Sequence, residues 1–321
     1  MRIFNGKKEA EKILLDLKKR ISKEKLNPKL AVVLVGEDKA SRLYIKLKRK
    51  AAKKISIKLV LYKFKDRASI YGSEGEEEEK IIQKIKTLNN NSSIHGIIVQ
   101  LPLPKKFNQN KIVGAVNPKK DVDGFQKNSW FLPVLPSTIL FTIKKATKLF
   151  KKKKVVALVN SKIFGQTLKS FFKKEGIELD YILRKKHSFT ELPKEASSKN
   201  IRSSRPFAAT RVGEEEDFTS LTFENKNKLK RADIIITVLG SPNVIWGDMI
   251  KKKAILIDAG ISKIAAKKVV GDVNRESVKE KAGFLTPVPG GIGPLTVALL
   301  LKNTYLSAKN YGKHSQVRRR R

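Results

Sequence analysis

The stretch VVALVNSKIFGQTLKSFF, residues 155–172, predicts a strand, a tight turn and a helix in direct succession. Residues 155–159 are all apolar, as in a strand that is buried on both faces of a parallel sheet. At such a turn, a dinucleotide-binding fold binds phosphate through backbone N–H groups at the start of the helix. A glycine usually permits that close approach, yet the turn begins with Val159 and only Gly165 remains. The question is whether this turn still binds a nucleotide.

Strands and helices alternate on both sides of this unit. KLAVVLVG (29–36) and IHGIIVQLPLP (94–104) predict buried strands, and helical spacing is found at 7–24 and 39–54. Further strands are predicted at 178–183, 233–238 and 254–258. The alternation indicates the α/β class, with parallel sheets joined by crossover helices.

The length of 321 residues allows two domains, and a predicted helix that Ser137 or Thr138 can cap marks the break between them. We predict an N-terminal α/β domain of residues 1–136, which a C-terminal helix at 294–311 completes. Residues 137–293 are predicted to form a Rossmann-like, dinucleotide-binding domain.

Two segments depart from the α/β rhythm. Residues 191–229 are polar, lack periodicity and are too long for an ordinary connection, so we predict a partly disordered insertion. Residues 312–321 end in four arginines and are interpreted as a basic tail.

The composition excludes several kinds of chemistry. The chain has no cysteine, which rules out disulfides, thiolate zinc sites and cysteine nucleophiles, and is typical of a cytoplasmic protein. Its three histidines are scattered, so no metal site is predicted. No apolar run is long enough to span a membrane, and the N-terminus does not resemble a signal peptide.

The net charge of +40 is the unusual feature of the composition. It permits binding to nucleic acid or to another anionic surface. The basic residues are spread along the whole chain, however, and no nucleic-acid-binding motif accompanies them. We therefore favour lysines on solvated faces, which would also attract an anionic small molecule.

The segment KASRLYIKLKRKAAKK (39–54) predicts a helix with two stripes. Leu43, Leu47 and Ala51 are predicted to form its core stripe. Ser41, Tyr44 and Lys48 share an adjoining stripe, on which Tyr44 and Lys48 are neighbours one turn apart. A lysine near an apolar edge loses hydration, so its pKa falls and it becomes a usable acid or base. A solvated lysine face is the alternative.

Three further stretches carry polar or unusual residues at the ends of predicted elements. Gln100 ends an apolar strand, where α/β folds bind ligands, although it can also bond loop backbone. In PKKDVDGF (118–125), Asp121 and Asp123 precede a turn, so that one can face a site while the other caps the turn. TPVPGGIGPLTVALLL (286–301) predicts a rigid loop of bare backbone that suits a flat ligand.

The motifs resemble one family in their order along nearly the whole chain. VGEDKASRLYIKLKRKAA, GIIVQLPLP, KKDVDGF, ADIIITVLGSP, LIDAGI, GDV and TPVPGGIGPLTVALLLKNT match the bifunctional methylenetetrahydrofolate dehydrogenase/methenyltetrahydrofolate cyclohydrolase family. The resemblance implies an active-site cleft between two domains, an NADP cofactor with NAD possible, a tetrahydrofolate substrate and a homodimer. It implies oxidation of 5,10-methylene-tetrahydrofolate and hydrolysis of the methenyl product to 10-formyl-tetrahydrofolate.

The resemblance also implies the site residues. Lys48 matches the catalytic lysine, Tyr44 the tyrosine that packs on the folate, Gln100 the supporting glutamine and Asp123 the pterin-binding aspartate. The predicted catalytic set is Lys48, Tyr44, Gln100 and Asp123. The predicted substrate-binding set is Tyr44, Gln100, Leu101, Asp123, Pro287, Pro289, Gly290 and Gly291. The predicted cofactor-binding set is Val159, Asn160, Ser161, Ser188 and Ile261.

The departures from the family gather in the predicted cofactor domain. The family has Gly-Arg-Ser where this chain has Val159, Asn160 and Ser161. Loss of the arginine removes a bidentate partner for a 2′-phosphate, so we expect weaker dinucleotide binding with less preference for NADP. This departure leaves open a cyclohydrolase-dominant enzyme with impaired dehydrogenation. The high positive charge leaves open a second alternative, a non-catalytic basic derivative that binds nucleic acid.

Overall fold

The structure is a computed structural model that describes residues 1–66, 74–150, 153–184, 222–263 and 269–318. These residues form two compact units. The first unit comprises Ile3–Lys148 and Thr286–Arg321, and the second unit comprises Met1–Arg2 and Leu149–Leu285.

The elements of the described residues alternate between strand and helix over most of the chain. In chain order they are β1 (Arg2–Ile3), α1 (Gly6–Lys23), β2 (Lys29–Val35), α2 (Lys39–Lys54), β3 (Lys58–Phe64), α3 (Glu74–Asn90), β4 (Gly96–Val99), α4 (Gln109–Gly114), α5 (Val134–Ala146), β5 (Val155–Val159), α6 (Lys162–Lys174), β6 (Leu179–Leu183), α7 (Phe223–Arg231), β7 (Ile234–Val238), β8 (Ile255–Asp258), β9 (Ser262–Lys263), β10 (Val269–Val270), α8 (Arg275–Val278), β11 (Phe284–Leu285) and α9 (Ile292–Arg318).

The first unit is built on a parallel sheet in the order β3-β2-β4. Strand β2 is buried on both faces, as its unbroken apolar sequence predicts. Leu30, Val32 and Leu34 face a core that α1, α2 and α9 complete. The alternate residues of β2 face a second core that includes α3. The carboxyl ends of β2 and β4 therefore lie at one edge of a sheet that is covered on both sides.

The second unit contains a six-stranded sheet in the order β1-β11-β8-β7-β5-β6. The pairs β11–β8, β8–β7, β7–β5 and β5–β6 are all parallel. The chain passes from β5 through α6 to β6 on one side, and then returns to β7 on the other side of β5. The strand order thus reverses next to β5, and doubly wound sheets bind ligands at such a reversal. The predicted α/β class is confirmed.

The division between the units differs from the predicted boundary at 136/137. Helix α5 begins at Val134 and belongs to the first unit, where it packs against α9. Ser137 and Thr138 therefore lie inside the helix and do not cap it, and the Thr138 hydroxyl instead donates to Val134 O. The apolar face of α5 is buried against α9, and this packing outweighs the capping signal.

Two further boundaries also change. The predicted insertion 191–229 lies largely outside the described residues, but its end is helical, because Thr222 caps α7 and Leu229 is fully buried. Helix α9 begins at Ile292, two residues before the predicted start, and continues to Arg318. Most of the segment assigned to a basic tail is therefore helical. In the described ranges, no helix has both the length and the apolar character that a bilayer span requires.

Candidate functional site

Helix α2 buries a different face from the one that its leucines indicate. Leu43 and Leu47 were predicted to be core residues but are 46% and 48% exposed, and Ala51 is only partly buried. The helix has two stripes of apolar residues, and the core accepts the one that runs through Ile45 and Ala52. The buried positions on this face are Ser41, Ile45, Lys48 and Ala52. Lys48 is therefore buried because it lies on the same face of α2 as Ile45 and Ala52.

Lys48 and Gln100 form the central contact of this region. The Lys48 amine donates a hydrogen bond to Gln100 Oε1 at 2.9 Å, and both side chains are 9% exposed. Gln100 follows β4, and its backbone N–H donates to Val33 O in the neighbouring strand. Its side-chain amide donates to Leu101 O at 2.8 Å. Gln100 is therefore fixed at both ends, and it presents its oxygen to the lysine.

The surroundings of Lys48 make its amine easier to deprotonate than that of an exposed lysine. Burial lowers the pKa of Lys48, and the negative charge of Asp123 partly opposes this shift. Burial likewise raises the pKa of Asp123, with the Lys48 charge acting in the opposite direction. The two charges therefore interact within one unit, so the protonation of each group depends on that of the other.

The two aspartates of the 118–125 segment have different surroundings. The Asp121 carboxylate accepts hydrogen bonds from the backbone N–H groups of Gly124 and Gln126, so it caps the turn. Gly124 has φ +72°, and any side chain there would meet the backbone of Leu132. The sequence predicted that one acid would cap and the other would face a site. The structure assigns the capping contacts to Asp121, while Asp123 interacts electrostatically with Lys48.

The proline and glycine loop at 286–294 is a tight backbone turn. Gly291 N–H donates to Pro287 O at 2.7 Å, and Gly290 has φ +110°, which only glycine adopts without strain. Pro289 is exposed. A Cβ at Gly293, in the first turn of α9, would lie 3.8 Å from the Tyr44 hydroxyl, so the helix that follows the loop approaches α2. Burial raises the pKa of Tyr44 to about 12, which keeps the phenol neutral.

Gly6 is a residue that the sequence interpretation missed. A side chain at Gly6 would overlap the backbone of Gly291, and Lys7 N–H donates to Gly290 O at 3.1 Å. The start of α1 therefore supports the glycine loop directly. In the sequence, Asn5-Gly6 carries only a helix-start signal, and Asn5 does cap α1. Nothing local points to a partner near residue 291.

The predicted dinucleotide turn lies at the carboxyl end of β5. Val159 is the last strand residue and is fully buried, so its side chain packs in the sheet. The Ser161 hydroxyl caps α6 by accepting from Phe164 N–H at 3.3 Å. The exposed Asn160 donates from Nδ2 to Leu239 O at 2.9 Å, which joins the ends of β5 and β7.

The residues at this turn retain features that suit a dinucleotide. The first N–H groups of α6 have no partner within the helix, as at any helix start. A Cβ at Gly165 would lie 2.7 Å from the Tyr181 ring, so this glycine allows α6 to pack closely on β6. Close helix–strand packing is one of the roles of glycine in dinucleotide-binding turns. Ile261 follows β8 and is 36% exposed, whereas Ser188 lies outside the described residues.

Comparison with known proteins identifies the family. The model of the tetrahydrofolate dehydrogenase/cyclohydrolase catalytic domain matches residues 4–123, and that of the family's NAD(P)-binding domain matches residues 216–312. Bifunctional protein FolD of Nautilia profundicola is 36% identical over 325 residues, which cover 98% of this chain and 99% of that protein. The chain belongs to the tetrahydrofolate dehydrogenase/cyclohydrolase family.

Solved structures of the family agree with this assignment. The bifunctional FolD enzyme of Campylobacter jejuni has a TM-score of 0.75 and 30% identity, with coverage of 97% of this chain and 99% of that one. The methylenetetrahydrofolate dehydrogenase of the silkworm, Bombyx mori, has a TM-score of 0.75 and 27% identity with the same coverage. The predicted resemblance is confirmed.

The predicted site residues of this family member fall into two groups. The folate group lies in the first unit, where the structure joins Lys48 to Gln100, and Gln100 to Leu101. The cofactor group lies in the second unit, where Asn160 bonds backbone and does not extend as an arginine would. Among the described residues, no cluster of three acidic or histidine side chains that could bind a metal is found.

Proposed function

We propose that this chain catalyses two consecutive reactions of folate one-carbon metabolism. The first is oxidation of 5,10-methylene-tetrahydrofolate to the 5,10-methenyl cation with NAD(P). The second is hydrolysis of that cation to 10-formyl-tetrahydrofolate. The observation that carries the proposal is the buried Lys48 amine, held by Gln100 at the carboxyl end of β4, in a chain that aligns with the family from end to end.

Lys48 is the proposed base of the hydrolysis. Water adds to the methenyl carbon of the cation and loses one proton. The bond from that carbon to N5 then breaks, the hydroxyl loses its proton as the formyl C=O forms, and N5 takes up a proton. Burial lowers the pKa of Lys48, so the neutral amine that accepts the proton of the water is accessible. A neutral amine also avoids repulsion from the cationic substrate. Gln100 orients the amine without adding a charge of its own.

The remaining residues of the first unit are proposed to position the folate. The Asp123 carboxylate accepts hydrogen bonds from the pterin amine and ring N–H, which match its acceptor oxygens. The half-buried Tyr44 ring packs on the folate, and the backbone at 287–291 lines the same site. Holding the substrate in this way contributes by orientation, without further chemistry. The excess of basic residues attracts the anionic glutamate tail.

The second unit is proposed to hold NAD(P). A bound nicotinamide would supply the hydride acceptor for oxidation of the methylene carbon. The hydroxyl of Ser161 and the first N–H groups of α6 are proposed to bind phosphate, and Asn160, Ile261 and Ser188 complete the predicted set. Val159 contributes backbone alone, because its side chain is buried.

Two further properties belong to the proposal. We propose a cytoplasmic homodimer, on the grounds of family membership and the absence of cysteine from the sequence. Size-exclusion chromatography with light scattering tests the dimer. The mass of a single chain would contradict it. We expect the binding partner to be a small folate and not a nucleic acid, because the basic residues are dispersed.

A spectrophotometric assay tests the proposed activities directly. The purified protein is given 5,10-methylene-tetrahydrofolate with NADP or NAD, and separately the methenyl compound alone. We expect methenyl formation in the first assay and accelerated methenyl decay in the second. Decay without formation would instead indicate the cyclohydrolase-dominant alternative. Absence of both activities, together with retention on nucleic acid, would indicate the basic binding derivative.

A further inference from the structure

Two buried carboxylates lie at the carboxyl ends of β7 and β8, and the proposed mechanism does not use them. Asp258 ends β8 and is 2% exposed, and Asp272 is fully buried. The Thr237 hydroxyl lies between them, because it donates to Asp258 Oδ1 at 3.3 Å and also contacts Asp272. Their motifs, LIDAGI and GDV, support the family resemblance, but neither acid was assigned a role in the sequence interpretation.

Asp272 binds the backbone of the loop that follows β7. Its carboxylate accepts hydrogen bonds from the N–H groups of Leu239 at 2.8 Å and Ser241 at 3.0 Å, and from Gly240. Gly240 has φ +67°, a left-handed conformation that glycine adopts without strain. With this turn, three successive N–H groups are directed at one carboxylate, which fixes the backbone of residues 239–241.

The Leu239 peptide is held from its other side as well. Its carbonyl accepts from Asn160 Nδ2 at 2.9 Å, while its N–H donates to Asp272 at 2.8 Å. These two bonds connect the end of β5 with the loop after β7. This is where the strand order of the sheet reverses, and hence where a doubly wound sheet binds its ligand.

Asp258 binds the backbone at Asp272 and thereby holds that residue in place. It accepts from the N–H groups of Asp272 and Val273 at 3.1 and 3.0 Å. A side chain at Gly260 would overlap the Asp272 carboxylate, and one at Gly271 would overlap that of Asp258. The glycines of both motifs are therefore required by the packing around the two acids.

Burial raises the pKa of both acids. Burial and the neighbouring Asp272 raise the pKa of Asp258 to about 7. Each acid accepts hydrogen bonds from three backbone N–H groups, which oppose the rise. An ionised Asp272 binds the loop more strongly than a neutral side chain would, because hydrogen bonds to a charged acceptor are stronger.

We propose that Asp272 is a positioning residue for NAD(P). Its carboxylate fixes the backbone of residues 239–241, which follow the carboxyl end of β7. It acts through that backbone and does not touch the cofactor, because it has no exposed surface. Asp258 and Thr237 orient it in turn. The inference rests on the proposed dehydrogenase function.

The test compares Asp272→Asn with Asp180→Asn, an exposed aspartate of β6 in the same unit. Amide hydrogen exchange is measured without dinucleotide, and calorimetry gives Kd for NADP, for NAD and for 5-formyl-tetrahydrofolate. In Asp272→Asn we expect exchange at residues 239–241 and both dinucleotide Kd values to rise by about tenfold or more, as for loss of a charged acceptor. Exchange in β5 and β7 and the folate Kd should remain as in the Asp180→Asn control.

Asn160→Ala is the second variant, because it removes the other bond to Leu239 from an exposed position and should not prevent folding. It should speed exchange at Leu239 in the same dinucleotide-free experiment. Unchanged dinucleotide affinity in Asp272→Asn would overturn the proposal, and so would weakened affinity without faster exchange at 239–241. Faster exchange throughout the sheet would show that Asp272 serves only the fold. If the wild type binds neither NADP nor NAD, the proposed dehydrogenase function fails instead.

Discussion

The Lys48 amine and the Gln100 amide oxygen are 2.9 Å apart, and neither residue is more than 9% exposed. A buried lysine bonded to a neutral acceptor differs from one paired with a carboxylate. A carboxylate would raise the pKa of the amine and keep it protonated, whereas the neutral amide leaves the amine easier to deprotonate. The neutrality of Gln100 is therefore as important for the proposed chemistry as the position of Lys48.

Lys48→Met should abolish methenyl hydrolysis while folate binding is retained. Loss of a positioned base typically costs a factor of about a hundred or more in rate. The matched control is Lys46→Met, which removes an exposed lysine from the same helix. Hydrolysis is followed by the decay of methenyl absorbance, and folate binding by calorimetry. Full hydrolysis by the Lys48 variant would contradict its assignment as the base.

Gln100→Glu should move the pH profile of hydrolysis to higher pH. A carboxylate beside the amine favours the protonated form and raises the pKa of Lys48, so the neutral amine appears only at higher pH. The expected displacement is roughly one pH unit or more. Gln109→Glu, at an exposed position in the same unit, controls for the added charge. The profiles of the two variants are compared between pH 6 and 10, where coincident curves would refute the argument.

The buried strands of both units could be predicted from the sequence because they depend on local signals. Apolar runs such as that of β5 define them, and the motifs around Lys48 and Gln100 indicated two residues that the structure joins by a hydrogen bond. The buried face of α2 was predicted wrongly, because the helix carries two apolar stripes and only tertiary packing chooses between them. A periodicity argument contains no information about that choice.

Other contacts were missed because they join distant parts of the chain. Gly6 meets Gly291 backbone to backbone, and no residue type in either segment signals the partner. Asp272 likewise binds Leu239, more than thirty residues earlier in the chain. The substitution at Asn160 was recognised in the sequence, but its bond to Leu239 O depends on the neighbouring strand.

Gly6→Ala should disturb the proposed folate site, although Gly6 is not itself one of the predicted site residues. The added methyl overlaps the Gly291 backbone, so the 287–291 loop must move, at a cost of about 1–3 kcal/mol for overpacking. Gly114→Ala is the control, since a Cβ there meets nothing within 4 Å. We expect a lower Tm and a higher KM for methenyl-tetrahydrofolate in Gly6→Ala alone. Equal behaviour of the two variants would show that the loop does not depend on Gly6.

The two aspartates of the 118–125 segment should respond differently to truncation. Asp123→Ala should weaken folate binding by about 1.5–3 kcal/mol, the usual effect of removing a charged partner. Asp121→Ala should chiefly lower Tm, because the turn loses the acceptor for Gly124 and Gln126. Calorimetric titration and thermal denaturation of both variants separate the effects. A larger loss of affinity in Asp121→Ala would reverse the assignment.

Asp258 should make stability depend on pH in a direction opposite to that of most carboxylates. Its pKa is raised from 3.8 to about 7, so the folded state binds its proton more tightly than the unfolded state does. Its stabilising contribution is complete below about pH 4 and is lost as the pH rises towards 7.

Asp258→Asn removes this titration, so the variant should lose less stability than the wild type over the same interval. The variant also loses an acceptor for Val273 N–H and should be less stable at every pH, so the slope and not the level is diagnostic. Denaturant midpoints measured from pH 4 to pH 8 give the slopes, and Asp180→Asn, an exposed aspartate, should retain the wild-type slope. If Asp258→Asn also retains the wild-type slope, then Asp258 is ionised throughout this range and its pKa is not raised.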